Sequence, residues 1–347
     1  MRHPCGLYIH IPFCVQKCGY CEFYSITRTE QIESFVQALL IEIELRAELF
    51  NRQVFHTIFL GGGTPSLLSE NQMERIWSSL KNNFKFIARP ETTIEANPGT
   101  LSPSKLEFLK DSGFNRLSLG VQSFNANELK FLGRIHSATE ALEIYENARS
   151  AGFQNINIDL MTAFPGITHR SFRGSLKTAL QLQPEHISCY TLIFEPGTPF
   201  HRRMKRGELI PLSADAEAEY YEIARQTLES SGYYQYEISN FAKGADYICK
   251  HNTIYWKQYP YLGLGSSAHS FHKNIRSANI RSVNRYISLL KQGKLPQVMT
   301  EQLSQEQMMF EYIFLNLRLR DGLDLTDFRK RFKQDFLKKY HSELKLL

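Results

Sequence analysis

Short apolar runs alternate along the first two thirds of the chain with longer segments whose apolar positions recur at helical spacing. Residues 7–11 read as a first strand, and Ile32, Phe35, Val36, Leu39, Leu40 and Ile43 then fall on one helical face. The pattern continues with a strand at 57–60 ending in glycines, a helix from about 70, a strand at 92–95, a helix at 102–110 and a strand at 116–119. A helix at 138–151, a strand at 156–160, a helix at 171–182 and a strand at 186–192 follow. This is an α/β chain of six β/α units, which predicts a parallel barrel or part of one with its chemistry on the C-terminal rim; the competing arrangement is a doubly wound open sheet. After Tyr261 the character changes, with helical patterns at 283–290 and 305–319.

Length and composition fit a globular protein: 347 residues, 42% apolar and 22% charged, can bury a large core. No apolar stretch approaches the length of a membrane span, and Cys5 and Cys14 lie where a signal peptide would sit. A reducing, cytoplasmic setting without membrane insertion is expected. The net charge of +6 is spread along the chain until the run Arg329-Lys330-Arg331-Phe332-Lys333. That run reads as the solvated face of an amphipathic helix, not as a surface for nucleic acid.

Polar residues gather where the strands end. Gly61-Gly62-Gly63-Thr64-Pro65 follows the second strand, and Glu95, Asn97, Gln122, Arg134 and Asp159 lie at or just past the ends of later ones. Polar groups closing apolar strands suit a ligand site on a barrel rim. The densest chemistry comes earlier, in Cys14-Val-Gln-Lys-Cys18-Gly-Tyr20-Cys21. An odd trio of thiols on one short loop cannot close into disulfides among itself, but three thiolates can each hold a separate iron of a cubane cluster. The residues after Cys21, namely Glu22, Phe23, Tyr24 and Ser25, bring no fourth ligand, which leaves one iron open to a small molecule. Gly19 allows a sharp turn between ligands, and Tyr20 offers an aromatic face. Cys5, Cys189 and Cys249 read as small buried hydrophobes.

Cys-x3-Cys-x2-Cys with an aromatic before the third cysteine resembles the radical S-adenosylmethionine (SAM) enzymes, which bind SAM at the open iron of a 4Fe-4S cluster. With the rim residues added, the chain resembles the coproporphyrinogen-dehydrogenase branch of that superfamily, the HemN and HemW proteins, over nearly its whole length. The resemblance implies a partial (β/α)6 TIM-like barrel with a small, mostly helical, winged-helix-like C-terminal domain. It also implies cluster ligation by Cys14, Cys18 and Cys21, and SAM contacts from Tyr8, Tyr20, Gly62, Gly63, Thr64, Glu95, Gln122, Arg134 and Asp159. Glycine backbone atoms suit the methionyl ammonium, carboxylates the ribose hydroxyls or that ammonium, and Arg134 the SAM carboxylate.

Within the branch, two features point away from porphyrinogen oxidation. Dehydrogenase members continue Cys-x-Cys where Phe23 stands here, and carry an N-terminal extension where only about a dozen residues precede Cys14. His251-Asn252-Thr253-Ile254-Tyr255-Trp256 resembles the HNxxYW signature of the HemW-type heme chaperones, which implies His251 as a heme ligand, with His269 and His272 as lesser candidates for a second one. The expected protein carries heme to an acceptor protein, draws on an electron donor, and needs no catalytic residue of its own; the alternative is an oxygen-independent coproporphyrinogen III dehydrogenase. Expected domains are the cluster and SAM barrel at 1–210, a barrel-closing extension with the HNxxYW motif at 211–275, and a helical part at 276–347 that stops sooner than the family pattern.

Overall fold

The structure, a computed structural model, describes residues 3–345. Six β/α units come first: β1 (Gly6–Ile11) with α1 (Ile32–Ala47), β2 (Val54–Gly62) with α2 (Glu70–Asn83), and β3 (Lys85–Ala96) with α3 (Pro103–Asp111). Then follow β4 (Arg116–Gln122) with α4 (Ala126–Leu132) and α5 (Ala138–Ser150), β5 (Ile156–Thr162) with α6 (His169–Leu182), and β6 (His186–Thr191) with α7 (Pro199–Lys205) and α8 (Ala214–Ser230). The chain continues through β7 (Tyr234–Glu237), β8 (Asn240–Ala242), α9 (Lys250–Trp256), β9 (Tyr261–Leu264), β10 (His269–His272) and β11 (Ile275–Asn279). It ends with α10 (Val283–Lys291), β12 (Gln297–Gln302), α11 (Gln305–Asn316), α12 (Leu325–Phe332) and two single turns.

The 12 strands among the described residues join one sheet in the order β12-β11-β10-β9-β1-β2-β3-β4-β5-β6-β8-β7. β1 to β6 are parallel neighbours in chain order, so the strand-order reversal of a doubly wound sheet does not occur. β9 adds parallel to β1, while β10 to β12 on that side and β8 and β7 on the other are antiparallel. The two edges, β12 and β7, do not pair, and the barrel is therefore partial.

Successive side chains of a strand face opposite ways, and the parallel strands use this to make two unlike surfaces. Leu7, Ile9 and Ile11 of β1, Ile58 and Leu60 of β2, Leu117 and Leu119 of β4, and Ile156, Ile158 and Leu160 of β5 are buried in one core with the apolar faces of the helices. The intervening positions, among them His10, Thr57, Glu95, Ser118, Asp159 and Tyr190, face the barrel interior. Register puts Glu95 beside Ser118, Ser118 beside Asn157 and Asp159 beside Ser188, which concentrates polar groups on the concave side.

Helix starts follow side-chain caps: Ser69, Ser137, Thr168 and Ser304 each form a reciprocal box with the third helical residue. The segment after 276 is less uniformly helical than expected. β11 and β12 extend the sheet, α10 packs on α1, and the mainly helical portion starts at Gln305. There Met309 and Tyr312 pack with Phe328 and Phe332 in a small separate core. Phe328 and Phe332 thus turn inward on α12 while Arg329 and Lys330 stay outside, the amphipathic arrangement expected of the basic run. No strand follows β12 among the described residues, so no wing is seen there. No described helix is long and apolar enough to cross a membrane.

Candidate functional site

The cysteine loop leaves the end of β1 and returns to it. Cys14 N–H donates to the Ile26 carbonyl (3.0 Å) and Ile26 N–H to the Pro12 carbonyl (2.8 Å), closing the loop at its base, and buried Phe13 meets Phe35 edge to face at 5.4 Å. Inside the loop Cys21 N–H bonds the Cys18 carbonyl at 3.2 Å. A Cβ at Gly19 would lie 2.5 Å from the Phe200 ring, so the turn between ligands needs a glycine where α7 packs against it.

Cys14, Cys18 and Cys21 are half-buried free thiols around a cavity of about 140 Å³. Burial pushes the Cys21 thiol up to about 11. Among the described residues no three His, Cys, Asp or Glu side chains converge on one metal-ion point. Thiols that flank a shared opening without converging suit a polynuclear cluster, in which each thiolate takes its own iron. The donor set therefore fits a 4Fe-4S cluster.

The same cavity is lined by Tyr20, Gly62, Gly63, Thr64, Glu95, Gln122, Arg134 and Asp159, eight of the nine residues expected for SAM from the sequence. Tyr8 is the exception. It faces the adjoining cleft described below, where its hydroxyl lies 3.0 Å from His10 Nδ1.

The glycine run is there for packing as much as for access. Gly62 has φ of 108°, and a Cβ there would lie 2.4 Å from the His10 ring; at Gly63 it would lie 2.6 Å from the Phe13 carbonyl oxygen. The amides of Gly62, Gly63 and Thr64 donate to Glu95 Oε2 (3.1 Å), the Ile11 carbonyl (2.9 Å) and the Phe13 carbonyl (2.7 Å). A ligand there would meet carbonyl acceptors, which suits an ammonium group.

A hydrogen-bonded chain links two of the thiols. Thr64 Oγ1 donates to Cys14 Sγ at 3.5 Å, Asn97 Nδ2 donates to Thr64 Oγ1 at 2.9 Å, and Arg134 donates through Nη2 to Asn97 Oδ1 and through Nη1 to Cys18 Sγ at 3.5 Å. α4 fixes that arginine: its left-handed C-cap, Gly133, turns the chain, and Arg134 N–H bonds the Leu129 carbonyl at 2.9 Å. A second Nη2 bond, 2.7 Å to the Gly120 carbonyl, orients the fork. No described carboxylate pairs with Arg134, and its buried Nε has no hydrogen-bond partner, so the guanidinium faces the cavity without an ion pair.

Opposite stand two carboxyls. Glu95 is raised to about 7, first by burial and then by the nearby Asp159 charge. Asp159 is raised by burial and restrained by Asn157, whose Nδ2 donates to Oδ1 at 2.7 Å. Gln122 sits at φ 70° on the β4–β5 irregularity, its Oε1 accepting from Tyr190 at 2.7 Å. An L-residue held in that conformation by a buried bond marks a site where geometry is imposed. Cation, carbonyl acceptors and carboxyls around one opening suit a zwitterion that carries hydroxyls.

Two further clefts meet this cavity at Phe23. One, about 400 Å³, is the barrel interior between Phe59, Arg116, Asp159, Met161 and Asn252; the other, about 590 Å³, lies between Tyr8, Tyr24, Tyr255, Tyr261, His269 and Arg281.

The HNxxYW segment forms α9, which plugs the barrel. Buried Glu91 accepts from Lys250 N–H (3.0 Å) and His251 N–H (2.9 Å), placing a carboxylate on the positive helix start. His251 is 1% exposed and stacks on Phe59 at 5.0 Å. Its Nδ1 meets Thr57 Oγ1 at 2.7 Å and its Nε2 meets the Tyr255 hydroxyl at 2.9 Å. Burial lowers it to about 3, so the ring is neutral. Neither nitrogen is free here, and an axial bond to heme would require breaking one of these contacts. The rest of the motif divides its work: Asn252 lines the barrel interior, Tyr255 the other cleft, and Trp256 lies under Arg318, 5.5 Å from its ring centroid. His272 packs on Phe50 at 5.1 Å and lines neither cleft. Cys249 is buried, its thiol pushed up to about 12.

Tyr190, Ser118 and Lys17 also line the cysteine cavity, although nothing at strand ends pointed to them. The available signal was alternation inside the strands, as in Arg116-Leu-Ser118-Leu and His186-Ile-Ser188-Cys-Tyr190. Parallel strands buried on both faces read as continuous apolar runs, so polar residues at every second position mark a lined interior.

Comparison with known proteins agrees with this geometry. Residues 8–179 match the profile of the Radical SAM superfamily, and residues 303–347 that of the HemN C-terminal domain. The heme chaperone HemW of Bacillus subtilis is 39% identical over 331 residues, 95% of this chain and 86% of that one. The heme chaperone HemW of Lactococcus lactis is 36% identical over 345 residues, 99% of this chain and 89% of that one. Among solved structures, the coproporphyrinogen III oxidase HemN from Escherichia coli, a radical SAM enzyme, superposes with a TM-score of 0.87 at 28% identity, covering 100% of this chain and 82% of that one.

Proposed function

This chain belongs to the HemW family of the radical SAM superfamily, and we propose that it holds a 4Fe-4S cluster through Cys14, Cys18 and Cys21, binds SAM at the open corner, and carries heme to an acceptor protein. The cluster, when bound, supplies single electrons from a donor protein to the SAM sulfonium. Arg134 holds the SAM carboxylate, since its fork is fixed by the Gly120 carbonyl and pairs with no described carboxylate. The glycine-run carbonyls receive the ammonium, and Glu95 and Asp159 the ribose hydroxyls. Thr64 and Arg134 each donate to a thiol, which stabilises thiolate charge. In this reading residues 1–210 form the cluster and SAM unit, 211–275 the extension that plugs it, and 276–347 the C-terminal part.

The observation that carries the reading is that eight expected SAM residues and all three cysteines line one cavity. The heme-carrying part is supported by the names of the relatives and by an aromatic cleft joined to that cavity at Phe23. The likeness to HemN over the whole chain favours a second reading, oxygen-independent coproporphyrinogen III dehydrogenation. Incubating anaerobically reconstituted protein with SAM, reductant and either coproporphyrinogen III or heme separates the two. Stable heme uptake without decarboxylation is expected; formation of protoporphyrinogen would contradict the chaperone reading.

A further inference from the structure

Three histidines lie near the aromatic cleft, and their hydrogen bonds divide them. His251 has both ring nitrogens engaged. So has His10, between the Tyr8 hydroxyl (3.0 Å) and the Tyr24 carbonyl (2.8 Å). His269 differs: it is exposed into the cleft, and among the described residues neither ring nitrogen has a hydrogen-bond partner. Its backbone is nevertheless fixed. β10 pairs with β11 through His269 and Ala278, Gly263 N–H bonds Ser270 Oγ at 2.9 Å, and the His269 carbonyl lies so close to Gly263 that a Cβ there would fall 2.0 Å from it.

The surroundings of His269 are those of an amphipathic planar ligand. Tyr8, Tyr24, Tyr255 and Tyr261 wall the cleft, and Phe23 and Val298, 70% and 60% exposed, form apolar parts of its rim. Arg281 lies over the Tyr24 ring at 5.4 Å and forms no ion pair among the described residues, which leaves its fork for a carboxylate. The cleft, about 590 Å³, lies within the range of roughly 300–1,000 Å³ common for small-molecule sites.

Resting on the heme-carrying reading, we propose that heme is seated in this cleft with His269 as its axial ligand and Arg281 on a propionate, while His251 remains the buried plug. Burial and neighbouring Arg276 lower His269, so its imidazole is neutral and its lone pair available at neutral pH. Because Phe23 belongs to both this cleft and the cysteine cavity, the seat adjoins the cluster loop. Loading or release of heme can then respond to occupancy of the cysteine cavity.

The test is an anaerobic titration with heme of the full-length wild-type protein and its His269→Ala, Arg281→Ala and His251→Ala variants, read by absorption and resonance Raman. Far-UV circular dichroism checks that each variant is folded. His269→Ala is expected to weaken binding by about tenfold or more, to lose the histidine-ligated spectrum, and to regain it with added imidazole. Arg281→Ala is expected to weaken binding several-fold without changing the ligand spectrum. An unchanged spectrum and affinity in His269→Ala overturns the assignment and leaves the heme-carrying reading standing. So does a folded His251→Ala variant that is the one to lose the ligand spectrum and recover it with imidazole. A wild-type protein that takes up no heme overturns both.

Discussion

The cysteine loop and helix α9 each present a short motif with a metal-competent side chain, and they end in opposite states. On the loop, the thiols touch one or two donors at most and look into open space shared with an unpaired arginine. On the helix, His251 is enclosed by Thr57, Tyr255, Phe59 and the Glu91 cap, and both of its ring nitrogens are occupied. A donor atom is a ligand only when its neighbours leave a lone pair uncommitted. Motif spacing alone does not report that.

The contrast can be broken most sharply at the cysteines. Cys18→Ser is expected to remove nearly all iron and sulfide from anaerobically prepared protein, whereas Cys249→Ser should retain them, although Cys249 sits two residues from the motif histidine. Equal losses in the two variants would erase the distinction between open and buried thiols. Next in size is the plug. His251→Ala deletes two buried hydrogen bonds and a stacked ring, which should lower the unfolding free energy by about 3 kcal/mol in a urea titration while leaving iron content unchanged. Normal stability combined with lost iron would show that the loop and the plug are not separate.

Arg134 sharpens the comparison from the open side. Its replacement by alanine should cost about 2 kcal/mol in SAM affinity by equilibrium binding, and lysine should restore little, because a point charge cannot hold both Asn97 and the Gly120 carbonyl. Full recovery with lysine would mean that charge alone matters there. A further test is the effect of pH on Glu95. Its folded value of about 7 lies above the ordinary 4.5, so the folded state binds the proton more tightly than the unfolded one. The stabilisation is complete below about pH 4.5 and is lost as pH rises through about 7. Cluster-free wild type should therefore lose about 3 kcal/mol more than Glu95→Gln across that window. Parallel stability curves for the two proteins would contradict the buried, raised carboxyl.

How much was legible in the sequence follows the range of the interactions. The cluster loop is local, and three cysteines within eight residues announce themselves by spacing. The parallel strands were legible because their core-facing sides are Leu and Ile. The inner polar row was visible only where it reached strand ends, at Glu95, Gln122 and Asp159, although the alternation that carries Ser118 and Tyr190 was present in the same segments. β12, Gln297-Val-Met-Thr-Glu-Gln, is an exposed edge strand with no apolar face, and only its pairing with β11 reveals it. The surroundings of His251 were hidden for the strongest reason: its partner Thr57 lies 194 positions away and its cap Glu91 lies 160, so only the fold brings them together.

The most direct measurement is electron paramagnetic resonance of the reduced, anaerobically purified protein with and without SAM, alongside iron and sulfide analysis. About four irons and four sulfides per chain are expected, with a spectrum that changes when SAM is added and disappears in Cys18→Ser. Zinc in place of iron, or a cluster whose spectrum ignores SAM, would contradict an open iron held by Cys14, Cys18 and Cys21.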